Sequence, residues 1–564
     1  VVSLIHELPQ LIEDYKLHQH VKAIVKNADK IVFAATPVMK GFESFEKLDK
    51  TKVVIRPQGL YKKNSLQSSE KIKSARSELR LRFNLPEEAV IILGVGFADY
   101  RKGIDIFVES GIEICEKNKN AYFIWLGDFD SKIEKKVKTV VKGSGLAERF
   151  IFPGLDYDSD IYYAGSDIYA LTSREDPFPS VLMEALDVYT PVVAFAESGG
   201  AVELLSRGGG VLVDHMSSKA FSSALTELIG NPDKIYKLGQ QGKQIIDEEF
   251  SFRKYLLDLA CYAKTGLQHV SVVVPNYNYE QYIKERLQSI FDQSYPIYEI
   301  IVLDDASTDN SVSVIEETIK DQAVDCKLIV NTDNSGNVFK QWAKGVELSS
   351  GDYVWIAEAD DLSDADFLNE VLKGFEDQDV VLSYCESKQM DSTGNVLCNN
   401  YLDYVSDISQ EKWLYDYKEK GINEIIGSLA IKNTIPNASA VVFKREIISK
   451  VLNDKIDEIK QYRNAGDWVV YIYVLSNGDI AYSSNALNNH RRHENSVTIS
   501  SFDINQLEEI LDVQKKVKEL YPVDSCVVTK ANDYSQVLYE QFGLSTNEAR
   551  KITDNQRLNK YLTR

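Results

Sequence analysis

The chain has 564 residues, of which 44% are hydrophobic and 26% charged, a composition typical of globular protein at a length too great for one hydrophobic core. Its 85 acidic and 64 basic side chains leave a net charge of -21, which repels polyanions and argues against nucleic acid as the main partner. Six scattered cysteines without a Cys-x-x-Cys pair make a disulfide framework or a zinc site a poor interpretation.

No apolar run reaches the ~20 residues that span a bilayer, and the first residues lack the order of a signal peptide. We therefore expect a cytoplasmic protein, with a peripheral position at the inner face of the membrane left open.

Short apolar runs alternate with helical stretches over residues 1–265. Such continuous runs predict parallel strands covered on both faces, at 1–5, 30–34, 53–56, 90–94, 122–126, 168–171, 191–195 and 210–213. A helix over 232–263 closes this α/β module, and a new strand at 269–275 restarts the pattern, so we place a domain boundary near Gly266.

Two segments of the first module carry groups suited to a phosphorylated ligand. Residues 94–103 (GVGFADYRKG) open a helix with backbone N–H groups and with the cations of Arg101 and Lys102. Residues 172–185 (TSREDPFPSVLMEA) hold Asp176 before a helix and Glu184 inside it. The loop acid can bind sugar hydroxyls while the helix N-terminus receives a diphosphate and the inner acid takes ribose hydroxyls. The plain alternatives are a solvated turn and a buried helix carboxylate.

Together with residues 191–203, these segments resemble the C-terminal half of the retaining family 4 glycosyltransferases, over residues 52–263. The resemblance implies a GT-B fold without a metal cofactor. It implies five donor-binding residues, with Arg101 and Lys102 on the diphosphate, Asp176 and Glu184 at the paired-acid positions, and His6 at the donor sugar. The sequence departs from the family pattern in having Asp176 where Glu is usual, and in Pro179, which removes one N–H from the sugar-binding loop.

A GT-B enzyme places its active site between two Rossmann-like domains. We expect residues 1–50 to be a remnant of the first of these domains and residues 51–266 to be the complete donor-binding domain. On this expectation the chain begins within a domain and the module is incomplete.

Three predicted strands of the second module end in polar groups, where open α/β sheets bind ligands. They run into Pro275-Asn276-Tyr277, Asp304-Asp305 and Glu358-Ala359-Asp360-Asp361. Clustered carboxylates persist when they are hydrogen-bonded, solvated or neutralised by a hard cation. Taken singly, each stretch is equally typical of a turn or a solvated acidic loop.

In this order and spacing, the three stretches resemble the inverting family 2 glycosyltransferases of GT-A fold, over residues 269–500. The resemblance implies a divalent metal cofactor, Mn²⁺ or Mg²⁺. The implied donor-site residues are Pro275 and Tyr277 beside the base, Asp304 or Asp305 on the base or ribose, Glu358 near a ribose hydroxyl or a metal-bound water, and Asp360 as metal ligand. Glu358 stands where the family usually has Asp.

Inverting transfer needs a general base on the acceptor hydroxyl. In the family that carboxylate starts a helix after a strand, and Asp467, ahead of a predicted helix at 468–475, fits this position. Its plain alternative is a helix N-cap. Residues 489–496 (NHRRHENS) resemble the late basic loop of the family, which implies Arg491 or Arg492 as phosphate clamps and His493 as a metal ligand.

These patterns predict a bifunctional-type glycosyltransferase that builds a surface glycan from nucleotide-sugar donors, with a retaining first module and an inverting, metal-dependent second module. Two alternatives stay open: the GT-A module alone catalyses while the GT-B part holds the acceptor, or the chain binds glycans or nucleotides without catalysis. Expected partners are nucleotide sugars, a glycan or lipid-linked glycan acceptor, and membrane-associated glycan assembly machinery. Helical periodicity after Ser500 predicts a helical extension at 501–564.

Overall fold

The computed structural model describes residues 1–6, 9–263, 266–320, 322–492 and 504–541. The chain divides into two compact units, Val1–Leu267 and Gln268–Arg564. Both units are built on parallel strands joined by helices, so the predicted α/β class is confirmed. Among the described residues, no helix combines the length and the apolar character needed to cross a membrane.

The strands of the first unit are β1 (Val2–Ile5), β2 (Lys30–Phe33), β3 (Val53–Ile55), β4 (Val90–Val95), β5 (Ala121–Leu126), β6 (Phe150–Gly154), β7 (Ile168–Leu171), β8 (Val192–Phe195) and β9 (Gly210–Val213). They form a three-stranded sheet in the order β1-β2-β3 and a six-stranded sheet in the order β6-β5-β4-β7-β8-β9. The sequence pattern missed β6, a strand at the sheet edge that contains Pro153, because proline interrupts a strand signal.

The helices of the first unit are α1 (Pro9–Asp14), α2 (His18–Asn27), α3 (Thr36–Glu43), α4 (Ser69–Arg82), α5 (Ile104–Lys117), α6 (Ser131–Gly143), α7 (Ser159–Gly165), α8 (Ser180–Leu186), α9 (Ala201–Leu205), α10 (Ser218–Ile229), α11 (Pro232–Glu249) and α12 (Phe252–Tyr262). The single helix predicted over 232–263 is thus two helices. Ser251 separates them because its hydroxyl caps α12 by accepting a hydrogen bond from the N–H of Lys254.

The two sheets of the first unit share one buried core, which includes Phe33 of β2 in the small sheet and Leu182 of α8 beside the large one. The strand β3 pairs with β2, so the small sheet extends past residue 50. Beyond β3, Arg56 donates to Asp258 of α12 at 2.6 Å. Residues on both sides of position 50 therefore form one compact unit.

The strands of the second unit are β10 (Val270–Asn276), β11 (Glu299–Asp304), β12 (Cys326–Val330), β13 (Tyr353–Ile356), β14 (Leu362–Ser363), β15 (Val380–Met390), β16 (Val396–Cys398), β17 (Tyr417–Glu419), β18 (Val441–Lys444) and β19 (Asp479–Arg491). In the described residues they form one sheet in the order β12-β11-β10-β13-β18-β15-β19-β14, with β16 beside β15 and β17 beside β19. The strands β10 to β13 are parallel, which brings their carboxyl ends to one edge.

The helices of the second unit are α13 (Ile283–Phe291), α14 (Ser311–Ile319), α15 (Val338–Leu348), α16 (Phe367–Val371), α17 (Leu402–Val405), α18 (Gly421–Glu424), α19 (Arg445–Ile459), α20 (Gly466–Leu475), α21 (Ile504–Leu520) and α22 (Ser525–Gln541). Within the helical extension predicted at 501–564, the described residues form α21 and α22, and positions 501–503 and 542–564 lie outside the described residues. Val513 and Val517 of α21 belong to the same buried cluster as Trp468 of α20, so α21 is part of the core of this unit.

Candidate functional site

The predicted base-binding residues Pro275 and Tyr277 lie at the end of the first strand of the second unit and in the turn that follows it. Pro275 is buried within β10, whereas Tyr277 is 44% exposed at the following turn. Asn278 then takes a left-handed conformation with a φ of 57°, and its side-chain oxygen accepts a hydrogen bond from the N–H of Thr308 at 2.7 Å. This turn leaves Tyr277 accessible for the predicted stacking on a base.

Asp304 lies inside the protein at the end of β11. Its carboxylate is 0% exposed and accepts hydrogen bonds from the amide of Asn276 at 2.7 Å and from the hydroxyl of Ser307 at 2.6 Å. These bonds join the ends of β10 and β11. Because the carboxylate faces the protein and not the ligand edge, the structure does not support Asp304 as the residue that binds the base or ribose.

Asp305 anchors the loop that follows β12. Its Oδ1 atom accepts hydrogen bonds from the side chains of Asn331 and Gln341 at 2.7 and 2.8 Å, and Oδ2 accepts one from the hydroxyl of Ser335 at 2.8 Å. A carboxylate oxygen can accept two hydrogen bonds, so Oδ2 keeps capacity for a further donor. The predicted contact of Asp305 with the base or ribose stays a prediction.

Glu358, Asp360 and Asp361 form an acidic turn directly after β13. Trp342 donates to Glu358 from its indole N–H at 2.9 Å. Burial, followed by the charge of Asp360, raises the pKa of Glu358 to about 8. The carboxylate of Glu358 is thus desolvated and lies close to a second negative charge. A bound cation would stabilise the ionised form of both groups.

Arg491 of β19 donates hydrogen bonds to this acidic turn. Its N–H donates to Asp361 at 2.8 Å, and its guanidinium donates to the carbonyl oxygens of Asp360 and Ser392 at 2.7 and 3.1 Å and to Glu285 at 3.0 Å. Arg491 is 2% exposed. Because its donors already bind protein acceptors, the structure does not support Arg491 as a phosphate clamp.

The alternative clamp, Arg492, lies immediately beyond β19 and is half-buried. Its backbone N–H donates to the carbonyl of Met390 at 2.8 Å. The neighbouring His490 ring is 2.6 Å from the hydroxyl of Tyr401. The predicted metal ligand His493 lies outside the described residues, and its role stays a prediction.

A residue that the sequence patterns missed lies beneath the acidic turn. Arg286 of α13 is fully buried, donates to the hydroxyl of Ser363 at 2.9 Å and lies 4.9 Å from the ring of Trp355. Burial lowers its pKa to about 10, while the charges of the acidic turn oppose that shift. Arg286 lies on the apolar face that Ile283 and Ile290 form. A charged residue at such a position is the sequence pattern that could have identified it.

Asp467 is the second residue of α20. Its carboxylate accepts hydrogen bonds from the amide of Asn433 at 3.1 Å and from the N–H of Trp468 at 2.7 Å. Burial raises the pKa of Asp467 to about 6. A carboxylate with a pKa near neutrality can take up a proton under physiological conditions, which is what a general base requires.

Two features relate Asp467 to its surroundings. Gly466 allows α20 to approach α15, because a Cβ atom there would lie 2.2 Å from the ring of Phe339. The charges of Asp467 and Glu358 both raise the pKa of the buried hydroxyl of Tyr471, one turn along α20. Tyr471 therefore lies near both the predicted base and Glu358.

In the first unit, the predicted donor-binding residues Lys102 and Asp176 bind each other. The ammonium of Lys102 is 2.6 Å from the carboxylate of Asp176, which is 6% exposed. Gly103 permits this approach, with a φ of 71° and a position at which a Cβ atom would lie 2.1 Å from the carbonyl oxygen of Thr172. Arg101 is exposed and donates to the carbonyl of Glu175 at 3.1 Å.

Glu184 of α8 lies near the hydroxyl of Tyr163 and the ammonium of Lys62. Burial raises its pKa, and the hydroxyl of Tyr163 and the ammonium of Lys62 oppose that shift. Lys62 itself is 3.1 Å from Asp160 of α7. Lys62 and Asp160 were not predicted, because single charged residues in a loop and a helix carry no recognisable spacing.

His6 follows β1 in the small sheet and is half-buried. The small sheet is tied to the large one by Glu203, which accepts a hydrogen bond from the N–H of Thr36 at 2.7 Å. The predicted contact of His6 with a donor sugar stays a prediction.

Two family models match the chain in tandem. Residues 75–245 match the model "Glycosyl transferases group 1", and residues 271–451 match "Glycosyl transferase family 2".

Individual proteins show similarity over part of the chain. The glycosyltransferase GlyG of Streptococcus pneumoniae is 25% identical over 281 residues, which cover 48% of this chain and 88% of GlyG. The putative teichuronic acid biosynthesis glycosyltransferase TuaG of Bacillus subtilis is 26% identical over 231 residues, 41% of this chain and 81% of TuaG. The crystal structure of HepE from Anabaena with UDP and glucose aligns at 20% identity with a TM-score of 0.42, over 47% of this chain and 71% of that one.

The two sheets, with acidic and basic groups at their strand ends, and the two matched models show that the chain is a glycosyltransferase. More particularly, it carries a group 1 domain followed by a family 2 domain. The predicted tandem order is confirmed.

Proposed function

We propose that this glycosyltransferase extends a surface glycan from nucleotide-sugar donors, with an inverting, metal-dependent family 2 module and a retaining group 1 module. The observation that carries the proposal is the position of Asp467, whose carboxylate lies in the first turn of α20, accepts a hydrogen bond from the amide of Asn433 and has a pKa that burial raises to about 6. The name of TuaG, which places that protein in teichuronic acid biosynthesis, supports a surface polymer as product.

In the proposed inverting reaction, the acceptor hydroxyl oxygen forms a bond to the anomeric carbon on the face opposite the nucleoside diphosphate. The bond between that carbon and the phosphate oxygen breaks, and its electron pair leaves with the diphosphate. The hydroxyl proton passes to a carboxylate oxygen of Asp467. Asn433 keeps that carboxylate oriented through its amide hydrogen bond.

The residues present fit a divalent cation. In the described part of the chain, no group of three or more His, Cys, Asp or Glu is arranged to hold a metal, but Mg²⁺ and similar ions need one or two carboxylates when the substrate phosphates supply the remaining ligands. Asp360 and Glu358 would provide these two. When bound, the cation would offset the negative charge of the leaving diphosphate, and Arg492 would contact a phosphate oxygen.

For the group 1 module, we propose that Arg101 and Lys102 bind the donor diphosphate and that Asp176 and Glu184 bind sugar and ribose hydroxyls, without a metal. UDP is the nucleotide bound in the HepE structure, and a UDP-sugar is the first donor to test. A lipid-linked acceptor would bring the chain to the inner face of a membrane, beside the assembly machinery.

A second candidate function has support from one observation. Lys102 and Asp176 pair with each other at 2.6 Å, so each of them already uses part of its hydrogen-bonding capacity inside the protein. This favours a chain in which the family 2 module alone catalyses and the group 1 module holds the acceptor.

The test is release of nucleoside diphosphate from UDP-glucose, UDP-galactose and UDP-N-acetylglucosamine, with octyl glycosides as acceptors and with Mn²⁺ or EDTA. The proposal expects one Mn²⁺-dependent activity that Asp467→Asn and Asp360→Ala abolish, and a much weaker metal-independent activity that Glu184→Ala abolishes. Loss of all activity in Asp467→Asn alone would select the second candidate. Metal-independent turnover in Asp360→Ala/Asp467→Asn/Glu184→Ala would refute both.

A further inference from the structure

The C-terminal helix α21 contacts the loop that leads into the helix of the predicted base. The carboxylate of Glu509 accepts three backbone hydrogen bonds, from the N–H groups of Arg463 and Asn464 at 2.8 Å and of Ala465 at 2.9 Å. Ala465 is the residue before α20, and Asp467 follows two positions later. One carboxylate on α21 thus fixes the backbone from which the base projects.

Two further residues of α21 secure the same loop. Asp512 accepts a hydrogen bond from the hydroxyl of Tyr462, at the start of the loop, and Lys516 donates to that hydroxyl at 2.7 Å. Lys516 also pairs with Glu458 near the end of α19. The connection between α19 and α20 is therefore held along its length by side chains of α21.

The C-terminal helices also hold the other partner of the base. Gln514 of α21 donates to the carbonyl of Ile431 at 2.8 Å, and the ammonium of Lys432 lies 5.0 Å from the ring of Tyr534 on α22. The next residue is Asn433, whose amide binds Asp467. Both supports of the Asp467 carboxylate, its backbone and its amide partner, are thus anchored to these helices.

We propose that α21 and α22 support the family 2 active site and that Glu509 is the positioning residue for Asp467. The proposal rests on the proposed function in one respect, namely that Asp467 is the base. Neither helix belongs to the segment that matches the family 2 model, which ends at residue 451. Their role is to keep Asp467 in reach of the acceptor hydroxyl, because small displacements of a catalytic group reduce turnover strongly.

Glu509 also contributes charge. Its carboxylate opposes ionisation of Asp467 and so adds to the rise of the Asp467 pKa. The other titratable groups that face Asp467 are the phenols of Tyr404 and Tyr471, and burial raises the pKa of both far above neutrality. Removal of the Glu509 charge is therefore expected to lower the pKa of the base.

The experiment measures UDP release with Mn²⁺ and octyl glycosides in the full chain carrying Glu184→Ala, so that the signal comes from the family 2 module. The donor is whichever of UDP-glucose, UDP-galactose and UDP-N-acetylglucosamine gives the highest turnover. The variants are Glu509→Gln, Glu509→Asp and a matched control, Glu508→Gln, which removes the same charge one position earlier on α21.

We expect Glu509→Gln to lower kcat by roughly tenfold or more with little change in the KM of the donor. We also expect it to move the acid limb of the pH profile to lower pH. Glu509→Asp restores the charge but not the full reach, so the acid limb returns to its original position and kcat recovers in part. Glu508→Gln behaves as the parent.

Two outcomes separate the proposal from its premise. If Asp467→Asn retains activity in the same assay, the assignment of the base fails. If Asp467→Asn is inactive while folded Glu509→Gln keeps the parent kcat and pH profile, the positioning role of Glu509 is wrong. Equal melting temperatures of the variants and the parent establish that a lowered kcat does not come from unfolding.

Discussion

The two acidic sites of this chain differ in what surrounds their carboxylates. In the group 1 domain, Asp176 is paired with the ammonium of Lys102 at 2.6 Å. In the family 2 domain, Asp467 accepts hydrogen bonds from neutral donors, the amide of Asn433 and a backbone N–H. A neighbouring ammonium stabilises the charged form of a carboxylate and makes it a weaker base, whereas a desolvated carboxylate with neutral donors accepts a proton more readily.

This difference is tested most strongly at Asp467. We expect Asp467→Asn to lower the kcat of the Mn²⁺-dependent activity by ~10² to 10⁴-fold, because the amide cannot accept the acceptor proton. Donor binding, measured by titration with UDP and Mn²⁺, should stay within about twofold, since the variant keeps both hydrogen-bonding partners available. A variant with the kcat of the parent would contradict the contrast between the two sites.

Metal removal separates the domains. With EDTA, or in Asp360→Ala, we expect the family 2 activity to fall by at least ~10²-fold, because the charge of the leaving diphosphate is no longer offset. The group 1 activity should not change. The measurement is nucleoside diphosphate release with each domain inactivated in turn, and an equal loss in both domains would remove the distinction.

The pH profile sharpens the comparison. Asp467 acts as a base only when deprotonated, so the family 2 kcat should fall as the pH drops through about 6, where its pKa lies, and by about tenfold per pH unit below that value. The check is a profile of kcat from about pH 5 to about pH 8. A profile that stays flat across pH 6 would remove Asp467 from the reaction.

Substitutions at Lys102 and Arg101 probe the group 1 site. We expect Lys102→Met to weaken UDP binding by about tenfold, or ~1.4 kcal/mol, because it removes a partly buried cation and leaves Asp176 without its partner. The exposed Arg101 should contribute less, since water screens its charge. Calorimetric titration of UDP in the Asp360→Ala background measures both, and the opposite ranking would assign the phosphate contact to Arg101.

The smallest expected effect concerns the packing of α20. Gly466→Ala should destabilise the second unit by about 1 to 3 kcal/mol, because the added Cβ atom overlaps Phe339 and forces a shift of the helix. Gly427→Ala is the matched control, since no atom lies within 4 Å of the Cβ position there. Urea unfolding followed by tryptophan fluorescence distinguishes them, and equal midpoints would mean that the contact is easily relieved.

The sequence was informative where a recognisable residue pattern lies within one strand, helix or turn. Apolar runs identified the parallel strands, and the polar residues after them marked the ligand edge. Family resemblance named Asp360 and Asp467, and Asp467 lies on a helix as expected. These features depend on residues close together in the chain, and periodicity and turn chemistry report such neighbours directly.

Tertiary structure decided which candidates face a ligand and what supports them. Asp304 and Arg491 form hydrogen bonds inside the protein. Glu509, 42 positions after Asp467, accepts hydrogen bonds from the backbone that leads into the helix of the predicted base. No local pattern predicts these pairings, because each joins elements far apart in sequence through burial and side-chain reach. The sequence by itself therefore determined the two domains, their order and the kind of chemistry at their strand ends, whereas packing alone determined which carboxylates and guanidinium groups are available for it.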